Sequence, residues 1–210
     1  MRLVRFVGAA ALLLSIAGVS SAAPIQNGSS ILAFQFTQGK VDLAQPSAGY
    51  LTSFPSAPNE IGFQVQYWKF LREEYAFNLQ GGVGMYSEKD ESSDPLDPEV
   101  KYTQSSWQVR VGGDRVAHIN DRFHIFVGPG IQYWTGKWKV ESGGTEFESE
   151  ATKRLALNGR IAVHLKMGQN FGMVGIFGHY FGYAWAADGD AKTHWWATGT
   201  DGSGGLAFNF

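Results

Sequence analysis

The chain of 210 residues contains no cysteine, which excludes disulfide bonds as a source of stability. Charged residues are scarce, at 17%, and the 17 Lys and Arg nearly balance the 19 Asp and Glu. Without a basic excess there is no electrostatic footprint for nucleic acid, so we expect no such partner. Nor does any apolar run of roughly 18 residues follow position 23, and the sequence therefore predicts no membrane-spanning helix.

Residues 1–23 have the three parts of a secretory signal peptide. Arg2 and Arg5 precede an apolar run over 7–19, and small residues follow as a cleavage zone. The run is too short for a bilayer-spanning helix; an uncleaved N-terminal anchor is the alternative. Removing the two arginines changes the net charge from −2 to about −4. We predict one mature domain over 24–210.

Glycine and aromatic residues are abundant, with 27 Gly and 14% aromatics, and both suit a curved, closed sheet. In the body of the chain, apolar and polar residues alternate with the period of a β-strand. Pro129 interrupts one segment between two glycines, which predicts a bulge or bend there. The eight predicted strands are 31–38, 60–68, 75–86, 104–115, 123–134, 154–167, 171–185 and 200–210.

The alternation is clearest in the sixth segment, 154–167. Leu155, Leu157 and Ile161 lie on one face, and Asn158 and Arg160 lie on the other. Segments of this length are long for a soluble protein but match strands that cross a bilayer at a tilt.

The seventh segment, 171–185, is apolar on both faces, so the alternation does not determine its orientation. We place Val174, Ile176 and Tyr180 on the outer face and His179 on the inner face.

Connections between the predicted strands alternate strictly between short and long. This is typical of an outer-membrane barrel with tight periplasmic turns and longer extracellular loops. Eight strands then place both termini on the periplasmic side. The short connections are 69–74, 116–122 and 168–170, and the long ones are 39–59, 87–103, 135–153 and 186–194.

Three observations predict that the apolar face points outward. The polar face is rich in Gln, Asn and Gly, which is unusual for a surface in water. The apolar face carries almost no charge, and a Lys or Arg there would cost about 2–4 kcal/mol in a bilayer. Aromatic residues cluster near both strand ends, as membrane interfaces favour; among them, we place Trp68 at the periplasmic rim and Trp134 at the outer rim. A soluble lipocalin-like barrel, with Phe34, Phe63 and Leu157 lining a cavity, is the alternative.

For a membrane barrel, Leu157→Arg should impair folding into lipid far more than Asn158→Arg.

The last strand places Leu206, Phe208 and Phe210 on one face and ends on an aromatic residue. This ending resembles the C-terminal assembly signal of bacterial outer-membrane β-barrels. The whole pattern resembles the small eight-stranded barrels of the OmpA/OmpX type. The resemblance implies an all-β fold, an eight-stranded antiparallel up-and-down transmembrane β-barrel in the outer membrane of a Gram-negative bacterium. It also implies contacts with outer-membrane lipid, lipopolysaccharide and the barrel-assembly machinery.

The predicted inner face carries ionisable residues. Because eight strands leave an interior that side chains just fill, we interpret these residues as a structural polar network, with a proton or ion path as the alternative. We predict no catalytic residue, cofactor or metal site. The network comprises Arg110, Asp114, Arg160, His164, Lys166 and His179, with Glu60 or Asp201 as a further acid.

Two acidic loops, 87–99 and 188–190, could attract a divalent cation. Their spacing is not that of an EF-hand, so we interpret them as solvated loops. Apolar residues in the predicted loops could anchor an extracellular partner; these are Tyr50, Phe54, Trp138 and Phe147.

The predicted function is a structural or surface-interaction role for a monomer: envelope integrity, adhesion or presentation of loops. Related eight-stranded barrels also include lipid A-modifying enzymes, and this is the first alternative. The deacylase pattern, a His followed two residues on by Ser, fails because Phe181 follows His179. A palmitoyl-transferase arrangement could be drawn from His194, Asp190 and Ser142, but loops commonly contain such residues. A narrow pore is a further alternative.

Overall fold

The computed structural model describes residues 27–39, 60–90, 99–188 and 191–210. The predicted signal peptide, and Tyr50 and Phe54, lie outside these ranges. No helix long and apolar enough to cross a membrane occurs in the described ranges. The described strands are β1 (Ser30–Gly39), β2 (Glu60–Arg72), β3 (Tyr75–Asp90), β4 (Val100–His118), β5 (Phe123–Ser142), β6 (Thr145–Glu148), β7 (Thr152–Lys166), β8 (Phe171–Asp188) and β9 (Ala191–Asn209).

Eight of these strands form a closed antiparallel ring. Each pairs with the next one along the ring, and β4 pairs with β5. The ring closes where β1 meets β9, from the pair Ile31–Asn209 to the pair Thr37–Ser203. The short β6 pairs with β5 and lies outside the ring. The predicted eight-stranded up-and-down barrel is confirmed, with β6 as an additional strand.

The registers give the stagger of the barrel. Following paired residues from Ile31 through β2, β3, β4, β5, β7 and β8 leads to Gly199 in β9. The direct partner of Ile31 in β9 is Asn209, ten positions further on. A stagger of this kind requires strands tilted by about 35–45° from the barrel axis, which is why long strands are needed to cross one bilayer.

The apolar side chains face outward. Leu157 is 69% exposed and Phe208 is 40% exposed, whereas Gln66 and Arg160 are 0% and 4% exposed. Buried amides with exposed leucines are the reverse of a protein dissolved in water. The outward facing predicted for Leu157 is confirmed, and a lipocalin-like barrel is ruled out.

The facing predicted for the seventh segment is wrong. Val174 and Tyr180 point into the barrel and are 4% and 3% exposed, Ile176 is half-buried, and His179 lies on the outer surface. Alternation could not decide this strand, because its inward positions pack against apolar layers inside the barrel and its outward positions meet lipid.

The periplasmic connections are short, as predicted; only two residues separate Arg72 from Tyr75. The outer connections differ from the prediction because the strands continue beyond the membrane. Most of 135–153 is the β5–β6 hairpin, and β8 and β9 remain paired as far as Asp188 and Ala191. Above the bilayer, a strand does not need an apolar face. The alternation of apolar and polar residues that predicts a strand is therefore absent there. Most of the acidic loop 87–99, and residues 189–190, lie outside the described ranges.

No bulge occurs at Pro129. The register between β4 and β5 is the same before and after it, at the pairs Gly112–Gly130 and Arg115–Val127. The close approach of the two strands explains the neighbouring glycine: a Cβ on Gly128 would lie 1.9 Å from the carbonyl oxygen of Gly113 and 2.6 Å from Asp114 Oδ1.

We expect Gly128→Ala to lower the free energy of unfolding by about 1–3 kcal/mol, because backbone and a buried carboxylate would have to move. Gly159→Ala is the matched control, since a Cβ at Gly159 meets nothing within 4 Å. Its effect should stay within about 0.5 kcal/mol. Urea titration of folding into lipid vesicles measures both. Equal effects would contradict the close approach of β4 and β5.

Candidate functional site

A buried ion pair occupies the middle of the barrel. Arg160 Nη2 donates to Asp114 Oδ2 at 2.6 Å, and the two side chains are 1% and 0% exposed. Trp68 Nε1 donates to the same carboxylate oxygen at 2.8 Å, and Arg160 Nη1 donates to Gln66 Oε1 at 2.6 Å. Several hydrogen bonds thus satisfy each charge, as burial of an ion pair requires.

Arg110 is a second interior cation, and amides hold it. Its Nε donates to Asn158 Oδ1 at 2.8 Å, and its Nη1 donates to Asn78 Oδ1. A Cβ on Gly130 would lie 2.6 Å from Arg110 Cζ, so this glycine provides the space for the guanidinium. Nearby, Asp201 lines the interior with Arg160 and supplies a further acid.

Apolar side chains fill the barrel below the ion pair. Trp68, Phe70, Val116 and Phe126 form one buried cluster, and the rings of Trp68 and Phe126 lie 5.4 Å apart. The sequence placed Trp68 at the periplasmic rim. Its position inside was missed because an aromatic residue near a strand end is also the signature of a membrane interface.

Little space remains at the level of the ion pair. A cavity there has a volume of about 10 Å³ and is lined by Arg160, Asn158, Asp201 and neighbouring side chains. That volume has room for about one water molecule. At this level the interior therefore resembles a packed core more than a channel, which favours the structural interpretation of the polar network over an ion path.

Arg154 occupies the outer part of the interior. Its guanidinium carbon lies 3.7 Å from the ring centre of Tyr180 and 5.4 Å from that of Trp134, distances typical of cation–π contact. Trp134 is 3% exposed and faces inward, although the sequence placed it at the outer rim. Arg154 was not among the predicted interior ionisable residues, because it stands at the start of its segment.

Three histidines stand in register at the periplasmic mouth: His118 pairs with His124 and His124 pairs with His164. His118 Nε2 donates to the carbonyl oxygen of Glu73 at 2.8 Å. In a neutral imidazole, His118 Nδ1 is then an acceptor and receives the proton of His124 Nδ1 at 2.9 Å. His164 and Lys166 are 0% and 4% exposed. No metal-binding group of three or more His, Asp or Glu occurs among the described residues.

Of the six predicted network residues, five lie inside the barrel. Arg110, Asp114 and Arg160 share its middle, and His164 and Lys166 lie near the periplasmic end. The sixth, His179, is on the outer surface, where its Nε2 lies 3.1 Å from Thr198 Oγ1. The C-terminal Leu206, Phe208 and Phe210 are all exposed on the outer face, at 46%, 40% and 68%.

Part of the sheet extends above the ring. We call the segments 100–106 of β4, 136–142 of β5 and all of β6 the ribbon; they pair in this order, and 84–90 of β3 pairs along the other edge of 100–106. Gly143 and Gly144 form its two-residue turn with φ of 56° and 80°, the positive values that tight hairpins use.

The ribbon has one charged face and one apolar face. On the charged face, Lys139 contacts Glu141 at 2.7 Å and Glu146 at 2.9 Å. These contacts raise the pKa of Lys139 and lower the pKa of Glu141, so both groups are charged at neutral pH. On the apolar face, Tyr102, Val140 and Phe147 form one row in register, and Phe147 is 64% exposed.

No protein-family model matches the chain, and no curated protein matches it by sequence. Solved structures do match. The outer-membrane protein OprG of Pseudomonas aeruginosa is 12% identical, with a TM-score of 0.53 over 90% of this chain and 99% of that one. The chain folds as a small outer-membrane β-barrel. An identity this low shows the fold of the barrel and nothing finer.

Two further outer-membrane barrels are similar to the chain. Ail, the attachment invasion locus protein of Yersinia pestis, is 17% identical, with a TM-score of 0.48 over 88% of this chain and 99% of that one. Neisserial surface protein A is 11% identical, with a TM-score of 0.43 over 89% and 99%. The apolar belt of the barrel and its likeness to OprG agree with the predicted outer-membrane location.

Proposed function

We propose that this outer-membrane barrel acts at the cell surface by presenting the ribbon to an extracellular protein. The ribbon carries the proposal, because its apolar row ends on the ring of Phe147, which is 64% exposed. Large exposed aromatic side chains are characteristic of protein-binding surfaces. Trp138, 8% exposed, lies on the same face of β5 as Val140, two residues nearer the ring.

The filled interior supports this assignment over transport. Arg160, Arg110 and Arg154 are held at successive levels by buried partners, and the central cavity is about 10 Å³. Such an interior makes the barrel a rigid platform. A structural contribution to the envelope follows from the same rigidity and is compatible with surface binding.

An enzymatic role has little support in the arrangement of His179 and Thr198. Thr198 Oγ1 donates its single proton to the carbonyl oxygen of Tyr180 at 3.0 Å, so the hydroxyl receives a hydrogen bond from the imidazole. A nucleophile must instead give its proton to the base. His194, considered in the sequence, stacks on Tyr183 at 5.6 Å.

We further propose that the barrel is a monomer assembled through its last strand, with outer-membrane lipid and lipopolysaccharide around its belt. The outward row of Leu206, Phe208 and Phe210 supports this. A single domain over 24–210, preceded by a cleaved signal peptide, also remains a proposal.

We expect Phe147→Asp to reduce binding to an extracellular protein at least tenfold, because a buried anchor residue of an interface can supply 2 kcal/mol or more, about a thirtyfold change in affinity. The measurement is retention of the purified barrel, in nanodiscs, on an array of serum and matrix glycoproteins. Glu148→Gln, on the charged face of the same strand, is the matched control and should bind like the wild type.

Two outcomes would contradict the proposal. Equal binding by the wild type and Phe147→Asp would exclude the apolar row as the contact surface. Absence of binding to every glycoprotein, with detergent sensitivity in cells lacking the protein, would favour a purely structural role.

A further inference from the structure

A polar pair occupies the lipid-facing wall of the barrel. His179 in β8 and Thr198 in β9 are both exposed on the outer face, with His179 Nε2 at 3.1 Å from Thr198 Oγ1. Phe177 and Phe181, which flank His179 on the same face, are 60% and 54% exposed. An ionisable side chain in such a belt is costly, and residues of this kind generally have a function.

The direction of the hydrogen bonds determines which atom remains available. Thr198 donates its proton to the carbonyl oxygen of Tyr180 at 3.0 Å, and a hydroxyl has one proton to give. His179 Nε2 must therefore carry a proton and donate it to Thr198. In the neutral imidazole, Nδ1 then has a free lone pair. The outer surface thus presents an acceptor that suits a hydroxyl or amide N–H group.

The height of the pair places it in the outer leaflet. His179 lies eight residues above Phe171 and four below Tyr183, and both aromatic residues are exposed on the same face. With the rise of a tilted strand, four residues correspond to about 10 Å. His179 therefore lies below the outer interface, at a depth reached by the upper part of a lipid acyl chain.

An aromatic surface lies directly above the pair. The rings of Phe181 and Trp196 are stacked 5.2 Å apart with an interplanar angle of 7°, and Tyr183 meets Trp196 edge-on at 5.6 Å. Trp196 is 64% exposed. Exposed indole and phenol rings at this height suit the boundary between lipid headgroup and acyl chain.

We propose that His179, Thr198 and this aromatic surface bind an outer-leaflet lipid whose acyl chain carries a hydroxyl or amide donor near the headgroup. The donor gives its proton to His179 Nδ1, and the adjoining headgroup lies against Trp196 and Tyr183. Thr200, the partner of His179 in register, lies beside it on the outer face; below Thr200, Gly202 and Gly204 bring no side chain to this face, which leaves space for the rest of the chain. The site is independent of the ribbon, so each proposal can fail alone.

The test uses two synthetic phosphatidylethanolamines that differ only in a 3-hydroxyl on the acyl chain. The barrel is equilibrated with both lipids, and native mass spectrometry gives the ratio of bound species. We expect the wild type to prefer the hydroxylated lipid about fivefold, the value of one neutral hydrogen bond. His179→Phe should remove the preference, and Thr198→Val should reduce it because the imidazole is no longer held.

Tyr133→Phe is the matched control, since it removes an outward hydroxyl from β5, at the level of Tyr183 but away from β8 and β9, and should leave the preference unchanged. Heat-modifiability on a gel establishes that each variant is folded. In the wild type alone, the ¹⁵N resonance of His179 Nδ1 should move toward that of a hydrogen-bonded acceptor only with the hydroxylated lipid. An unchanged resonance, equal binding of the two lipids, or a preference that survives in His179→Phe would overturn the proposal. So would cross-linking of position 179 to a second copy.

Discussion

Replacing Asp114 with asparagine is expected to lower the free energy of unfolding of the barrel by about 3–5 kcal/mol. The substitution keeps the size of the side chain but leaves the guanidinium of Arg160, 1% exposed, without its counter-ion. Breaking a buried ion pair from one side costs this much because the remaining charge stays buried. Trp68 Nε1 also loses a charged acceptor at 2.8 Å. Urea titration in lipid vesicles, followed by tryptophan fluorescence, measures the change.

The double variant Asp114→Asn with Arg160→Gln is the decisive control. Once both charges are absent, most of the loss should be recovered, because a neutral pair in the same space is often nearly as stable as the ion pair. The coupling between the two positions should reach about 1–3 kcal/mol. If the losses of unfolding free energy from the two single substitutions simply add in the double variant, the ion pair between Asp114 and Arg160 does not explain the effect of Asp114→Asn.

Leu157→Arg is expected to cost about 2–4 kcal/mol of folding free energy in a bilayer, because it places a charge in the apolar belt. Phe147→Arg is the matched control: Leu157 is 69% exposed and Phe147 is 64% exposed. Phe147 lies on the ribbon, in water, so its replacement should change stability by no more than about 0.5 kcal/mol. Folding yield and urea midpoints in vesicles compare the two variants.

Equal costs for Leu157→Arg and Phe147→Arg would contradict the boundary drawn between belt and ribbon. Asn158→Arg, the partner suggested by the sequence, is a poor control. Asn158 is 2% exposed and accepts from Arg110 at 2.8 Å. A second guanidinium there would meet an existing cation in a space with no room for it.

The sequence predicted the ring of strands because lipid imposes a strict alternation wherever the wall touches it. At Leu157 and Arg160 the two faces have opposite surroundings: the outer face meets lipid and the inner face meets polar side chains. The alternation of residue types there shows clearly which face points outward. At Val174 and Tyr180 that contrast is lost, since the interior of this barrel is partly apolar, and the facing was inverted. The same ambiguity hid Trp68 and Trp134, whose aromatic rings suit a packed interior as well as an interface.

The ribbon and the lipid-facing pair could not have been located from the sequence. Beyond the bilayer, strands such as β6 need no apolar face, so the period of two that predicts a strand is absent. The proximity of His179 and Thr198 depends on the register of β8 with β9 across 19 positions of chain. One feature of the sequence did point to the lipid-facing pair: His179 lies between Phe177 and Phe181 in an otherwise apolar segment.

The first and last strands of the barrel are neighbours, joined between Ile31–Asn209 and Thr37–Ser203. Every other seam in the ring joins two strands that follow one another in the ring and in the chain, but this one joins the first strand of the barrel to the last. Until Phe208 and its neighbours arrive, two rows of backbone amides and carbonyls have no partner, and hydrocarbon offers none. The wall can therefore close only when the whole barrel sequence is present, because the last strand completes the first.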